Sequence, residues 1–302
     1  MYLNIKSVFA ALLFIAITPV FFSCNPDVDI PAYIYIEDVD FSVADRETYG
    51  TASHKIPFVL VSVDGTDVGS YQLPALVPVI ASGQTTIRIG SGIELNGLSA
   101  QRVEYPFYTS YSKNITLAKT KVDTIRPTTS YTDSTKFFFI DNFEGENIFS
   151  SVEGAPLTRG NDENLRFHYP EEDNGEYGII TIAPGDTLPY FEIRSDVITT
   201  LPIDCLMELN YWFTEPVEIG LYCYTSSSQY KSKKITIVNL RASDAEKGET
   251  WKKVYINFTK ELNDEMGTGG INMDSFSVYF TGNASDGKEA RFLFDNIKLI
   301  YR

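Results

Sequence analysis

The sequence predicts an all-β protein made of two sandwiches in tandem. Segments rich in β-branched and aromatic residues recur along the chain, separated by Gly, Asn, Asp and Pro turns. Aromatic residues make up 14% of the chain, and most fall within these alternating segments. The Ser/Thr-rich stretch Arg126-Pro-Thr-Thr-Ser-Tyr-Thr-Asp-Ser-Thr135 interrupts the pattern once and marks a domain boundary.

Residues 1–23 read as a signal peptide. Lys6 is the only charge before the apolar run Val8–Phe22, which ends at the small residue Ser23. The run is short for a bilayer span and contains Pro19. Phe21-Phe22-Ser23-Cys24 resembles a bacterial lipobox, which implies that Cys24 is the lipid-modified first residue of the mature chain. Phe21 stands where that motif usually has Leu. Residues 24–32 form an acidic tether with Asp27, Asp29 and two prolines. Its acidic residues resemble the surface-export signal of Bacteroidota lipoproteins, and an acidic tether is equally a solvated one. Removal of residues 1–23 from the 302 leaves 279, enough for two cores.

Residues 33–131 are expected to form the first sandwich. Tyr33–Glu37 opens it, and Phe58–Val63 runs into a tight Asp64-Gly65 turn. Strands follow at Thr85–Ile89, Lys113–Leu117 and Lys121–Ile125, with Gly90–Arg102 expected to loop out. Val63-Asp-Gly-Thr-Asp-Val-Gly69, Leu73-Pro74 and Ser82-Gly83-Gln84 resemble small immunoglobulin-like surface modules, which implies that fold here.

Residues 136–302 are expected to form the second sandwich. Alternating segments lie at Leu188–Ile193, Cys205–Phe213, Val217–Thr225, Lys234–Val238, Trp251–Thr259 and Ser275–Thr281. The opening Asp141-Asn-Phe-Glu144, the closing Phe294-Asp-Asn-Ile297 and Trp251-Lys-Lys-Val254 resemble the jelly-roll β-sandwich of carbohydrate-binding modules. That resemblance implies that the first and last strands lie side by side. It also implies oxygen ligands for a structural Ca²⁺ at Asp141, Glu144 and Asp295. The alternative is that these acids satisfy loop backbone. No other cofactor is expected.

Cys205 and Cys223 are the only cysteines after Cys24. A hairpin centred on Thr214 would set them opposite each other, within disulfide reach. A one-residue slip would instead leave two buried thiols. In that hairpin Glu208, Asn210, Trp212, Tyr222 and Tyr224 share the parity opposite the apolar residues. Trp251, Tyr255 and Asn257 do the same in a later strand. Together they are expected to form one aromatic face able to stack sugar rings or anchor a protein partner. The third reading is that these rings pack under loops or against the first domain.

Chemistry beyond binding has little support. His54 and His168 sit in packing or solvated contexts, and no nucleophile elbow, P-loop or dinucleotide fingerprint occurs. Glu171-Glu172-Asp173 reads as a solvated loop. A net charge of −15 disfavours nucleic acid as a partner. Asp123-Thr-Ile125 and Asp186-Thr-Leu188 resemble a Bacteroidota O-glycosylation signal, with Thr124 and Thr187 as acceptors. Overall order resembles uncharacterised Bacteroidota surface lipoproteins. This implies a non-catalytic outer-membrane protein, lipid-anchored and facing the cell exterior. Its first expected role is a partner-binding accessory subunit of an outer-membrane complex for uptake, secretion or barrel assembly. A glycan-binding lipoprotein is the alternative and a glycoside hydrolase the second.

Overall fold

The structure, a computed structural model, describes residues 29–145, 148–167, 175–200, 202, 204–225, 232–243, 251–266, 273–285 and 287–302. The signal peptide, Cys24 and most of the tether lie outside these residues, as do His168 and Glu171–Asp173. The described chain is all-β, with two short helices.

The first sandwich contains β1 (Ala32–Ile36), β2 (Asp40–Phe41), α1 (Arg46–Tyr49), β3 (Phe58–Val63), β4 (Thr66–Gln72) and β5 (Ala75–Val79). It continues with β6 (Gly83–Glu94), β7 (Arg102–Glu104), β8 (Tyr111–Leu117), β9 (Val122–Ile125) and β10 (Thr128–Thr129). A sheet ordered β5-β1-β9 packs on one ordered β4-β3-β6-β7, with β8 also on β6. Asp64 and Gly65 take positive φ (49° and 80°) and close the β3–β4 hairpin as the turn chemistry requires. Gly90 does not loop out. It and Gly92 lie inside the twelve-residue β6, and only Leu95–Gln101 forms the excursion. A Cβ at Gly92 would stand 2.2 Å from the Phe58 ring, so glycine there makes room for a core aromatic.

The second sandwich contains β11 (Lys136–Asp141), β12 (Phe149–Gly154), β13 (Thr158–Gly160), β14 (Tyr177–Ile182), β15 (Tyr190–Ser195) and β16 (Cys205–Phe213). It continues with β17 (Val217–Tyr224), β18 (Ser232–Leu240), β19 (Lys252–Asn257), α2 (Thr259–Met266), β20 (Ser275–Asn283) and β21 (Ala290–Tyr301). The six-stranded sheet runs β13-β14-β21-β16-β19. β11 and β14 share one edge of the long β21, so the opening and closing strands do lie side by side. The five-stranded sheet runs β12-β15-β20-β17-β18. Between the sheets lies a core that includes Met207, Leu209, Phe213, Ile219, Leu221, Ile256, Phe280 and Phe292.

The expected hairpin of β16 and β17 does not form. β16 pairs with β19 and β21, whereas β17 pairs with β18 and β20. Thr214 is stitched to β21, its amide donating to the Arg291 carbonyl at 2.9 Å and its Oγ1 accepting from the Arg291 amide at 2.8 Å. The chain thus crosses from one sheet to the other at this point. Cys205 and Cys223 are free, buried thiols rather than a bridge. Burial pushes both thiols up, Cys223 to about 11.

The two sandwiches pack directly on each other. Leu206, Tyr255 and Ile300, on the outer face of the six-stranded sheet, belong to the core of the first sandwich. The Leu95–Gln101 excursion fastens the contact. The Asn96 amide donates to the Tyr255 carbonyl at 2.7 Å, and the Asn257 amide donates to Asn96 Oδ1 at 3.0 Å.

Candidate functional site

The residues expected to share one aromatic face divide among five places. Glu208, Asn210 and Tyr255 are buried where the first sandwich covers the six-stranded sheet. Trp212 lines a recess of about 190 Å³ with Leu165, Arg291 and Leu293. Trp251 is half-buried; its Nε1 donates to the Leu165 carbonyl at 2.8 Å, and its ring packs edge-on against Phe167 and Tyr177. Asn257 Oδ1 accepts from the Thr259 amide at the start of α2. Tyr222 and Tyr224 lie across the molecule, on the outer face of the five-stranded sheet. Within each strand the apolar parity does face the core, but strand parity does not say which sheet a strand joins.

The buried junction is polar. Glu208 Oε1 accepts from Tyr105 Oη at 2.9 Å and from Tyr131 Oη at 3.0 Å. Lys253 Nζ stands 2.9 Å from Glu208 Oε2. Lys298 Nζ, directly across the strand pair, donates to the Thr51 carbonyl at 2.6 Å and to Tyr131 Oη at 3.1 Å. Ser53 Oγ donates to Asn210 Oδ1 and Thr51 Oγ1 to Asn296 Oδ1. Burial pushes the Glu208 carboxyl up, but the Lys253 and Lys298 ammonium groups outweigh it and hold the group below the ordinary carboxylate range. Burial, reinforced by Glu208, raises the Tyr105, Tyr108 and Tyr131 phenols well above 10. Glu208, Lys298, Tyr105 and Tyr131 thus form a buried, charged lock between the domains and present nothing to a ligand.

The calcium ligands expected at Asp141, Glu144 and Asp295 do not come together as a set. No group of three or more His, Cys, Asp or Glu is placed to hold a metal ion among the described residues. Asp141 is buried and accepts from the Phe143 and Ile148 amides at 3.0 and 3.2 Å, so it organises its own loop. Glu144 accepts from the Glu176 amide, and Asp295 Oδ1 from the Asn296 amide at 2.6 Å. His54 Nδ1 bonds the Ala52 carbonyl at 2.9 Å and packs beside Phe41. Thr124 and Thr187 are both exposed.

The surface best equipped for recognition is the outer face of β15, β20, β17 and β18. Tyr222 and Tyr224 are half-buried there, 6.3 Å apart and inclined by only 23°. Arg194 lies over the Tyr222 ring at 3.6 Å, and Lys234 over the Tyr279 ring at 4.2 Å. Glu192 accepts from Arg194 Nε at 2.7 Å and from Lys234 Nζ at 3.0 Å. Tyr279 is fully buried beneath these groups, and its hydroxyl donates to Glu218 at 2.6 Å. Tyr224 Oη and Ser277 Oγ bond at 3.0 Å. Partial burial pushes the Glu192 carboxyl up, but Lys234 and Arg194 prevail and hold it below its ordinary value. Two near-parallel rings thus sit among fixed donors and acceptors. Of these residues the sequence reading singled out only Tyr222 and Tyr224 as site residues. Tyr190-Phe-Glu-Ile-Arg-Ser195 carries a signal for the rest, since Glu192 and Arg194 occupy its polar parity.

No family model matches the chain, and no curated protein matches it. Solved structures similar to it include a carbohydrate-binding module of the β-sandwich superfamily, at 13% identity. That match covers 91% of this chain and 99% of the other with a TM-score of 0.37. The family 11 carbohydrate-binding module of a cellulosomal cellulase of Clostridium thermocellum is similar at 14% identity, over 57% of this chain and 96% of the other (TM-score 0.35). The C-terminal family 22 carbohydrate-binding module of another Clostridium thermocellum protein gives 14% identity, 56% and 97% coverage, and a TM-score of 0.36. With TM-scores below 0.5, these likenesses say nothing of what this chain binds.

Proposed function

We propose that this protein is a non-catalytic saccharide-binding protein, held at the outer membrane by a lipid on Cys24 and facing the cell exterior. Its sugar platform is the Tyr222–Tyr224 pair. The observation that carries this reading is the pair itself: two near-parallel, half-exposed rings flanked by charged and hydroxyl groups. Sugar rings offer C–H faces that stack on such rings and hydroxyls that need donors and acceptors. Arg194 and Glu192 on one side, and Ser277 on the other, supply both. The glycoside hydrolase reading fares worse, because a general acid needs a raised carboxyl. Glu192, the carboxylate centred on this face, is instead engaged by Arg194 at 2.7 Å and Lys234 at 3.0 Å.

The accessory-subunit reading is favoured by one different surface. Leu76 and Val122, 54% and 56% exposed, flank β1 on the sheet nearest the tether. A glycan array with the purified protein separates the two. Retention on neutral glycans is expected, with Tyr222→Ala weakening it by about 2 kcal/mol or more and leaving the thermal midpoint nearly unchanged. Failure to retain any glycan, together with stoichiometric co-purification of outer-membrane proteins, would favour the subunit reading instead.

A further inference from the structure

A second cavity, of about 710 Å³, opens where the two sandwiches meet. That volume lies within the range of small-molecule sites. Its walls come from the Leu95–Gln101 excursion on one side and from β16, β19 and the end of β18 on the other. The Leu95–Gln101 wall is tied to β19 by the Asn96 amide on the Tyr255 carbonyl and by the Asn257 amide on Asn96 Oδ1. Four of its lining residues are cations, Lys55, Arg241, Lys252 and Lys253, and none is acidic among the described residues. Among the described residues this is a local reversal of sign in a chain of net charge −15. The buried trio behind it has the same sign. Glu208 neutralises only one of Lys253 and Lys298, and the Lys253 ammonium, its side chain 4% exposed, has no hydrogen-bond partner beyond that ion pair among the described residues. Trp251 and Tyr211 supply ring surface, and Asn96, Asn239 and Ser99 supply amide and hydroxyl groups.

We infer that this cleft is a binding site for an anionic saccharide, one carrying carboxylate or sulfate groups. The cations take its charged substituents, the rings its C–H faces and the asparagines its hydroxyls. The site lies apart from the tyrosine platform and does not depend on it.

Trp251 lines the cleft, and the only other tryptophan is Trp212, so intrinsic fluorescence reports on it. The purified protein is titrated with a galacturonate oligosaccharide, a sulfated heparin oligosaccharide, a neutral cello-oligosaccharide and inorganic sulfate. A saturable change is expected with at least one of the two acidic oligosaccharides, weakening as salt rises. Which of the two binds identifies the charged group. Lys55 and Arg241 are exposed, so Lys55→Gln with Arg241→Gln should leave folding intact. The double variant is expected to weaken acidic-sugar binding by about tenfold or more, because each cation makes a charge-assisted contact. Tyr222→Ala should leave this binding unchanged. The inference is overturned if neither acidic sugar binds, if the neutral sugar or sulfate alone changes the tryptophan signal as strongly in the Tyr222→Ala protein, or if the double variant binds like wild type.

Discussion

Glu208→Ala should cost about 3–5 kcal/mol of stability, the largest effect of any single exchange at the junction. The carboxylate is completely buried and accepts from two tyrosines while facing two buried lysines. Removing it strands both ammonium groups in a low-dielectric interior, and breaking a buried ion cluster from one side carries a penalty of that size. Replacing Glu208, Lys253 and Lys298 together by Leu, Met and Met should recover most of the loss, because no charge then remains to be desolvated. The pH dependence follows from the depressed Glu208 carboxyl. Its stabilisation is fully present above the ordinary carboxylate value of about 4.3 and is lost as pH falls through the lower folded value. Urea unfolding of wild type and Glu208→Ala should therefore differ most at neutral pH and converge in strong acid. An unchanged midpoint at neutral pH would mean that the junction is wet.

Gly220→Ala should also be strongly destabilising. Gly220 lies in β17, at the irregularity where β17 meets β18. A Cβ there would stand 2.0 Å from the Ile235 carbonyl oxygen and 2.7 Å from the Tyr279 ring. The first obstacle is backbone and has no rotamer to escape into, so a loss of about 3 kcal/mol is expected, at the upper end of overpacking costs. Displacing Tyr279 also breaks its bond to Glu218 and lifts the layer that carries Lys234 and Tyr222. Thermal unfolding and glycan retention should fall together in this variant, whereas Tyr222→Ala lowers retention alone.

Much of this architecture is legible in the residues. Phe58–Val63 with its Asp64-Gly65 turn, and the closing Arg291–Ile300 segment, announce themselves by β-branched and aromatic runs and by turn chemistry. The second sheet partner of each strand is not legible. Thr214-Glu215-Pro216 reads as a hairpin turn, but a chain crossing between facing sheets uses the same residues, and only long-range pairing tells them apart. That one ambiguity carried the cysteine bridge and the single aromatic face with it. Glu208 and Lys298 look solvent-facing in isolation. Their signal is subtler: each stands among apolar residues of both parities, Leu206, Met207 and Leu209 around Glu208 and Ile297, Leu299 and Ile300 around Lys298, which fits burial on both faces better than exposure on one. The basic cleft left no trace in the sequence, since Lys55, Asn96 and Arg241 come from separate loops.

We propose that the first sandwich covers the centre of the six-stranded sheet, around Glu208 and Tyr255, and that the tyrosine platform lies on the opposite sheet. Nitration with tetranitromethane, mapped by peptide mass spectrometry, tests it before any ligand is known. Tyr222 and Tyr224 are expected to be modified in the native protein. Tyr105, Tyr108, Tyr131 and Tyr255, buried in the junction, should stay unmodified until the protein is unfolded. Rapid native modification of Tyr255 or Tyr105, with Tyr222 and Tyr224 spared, would contradict the account.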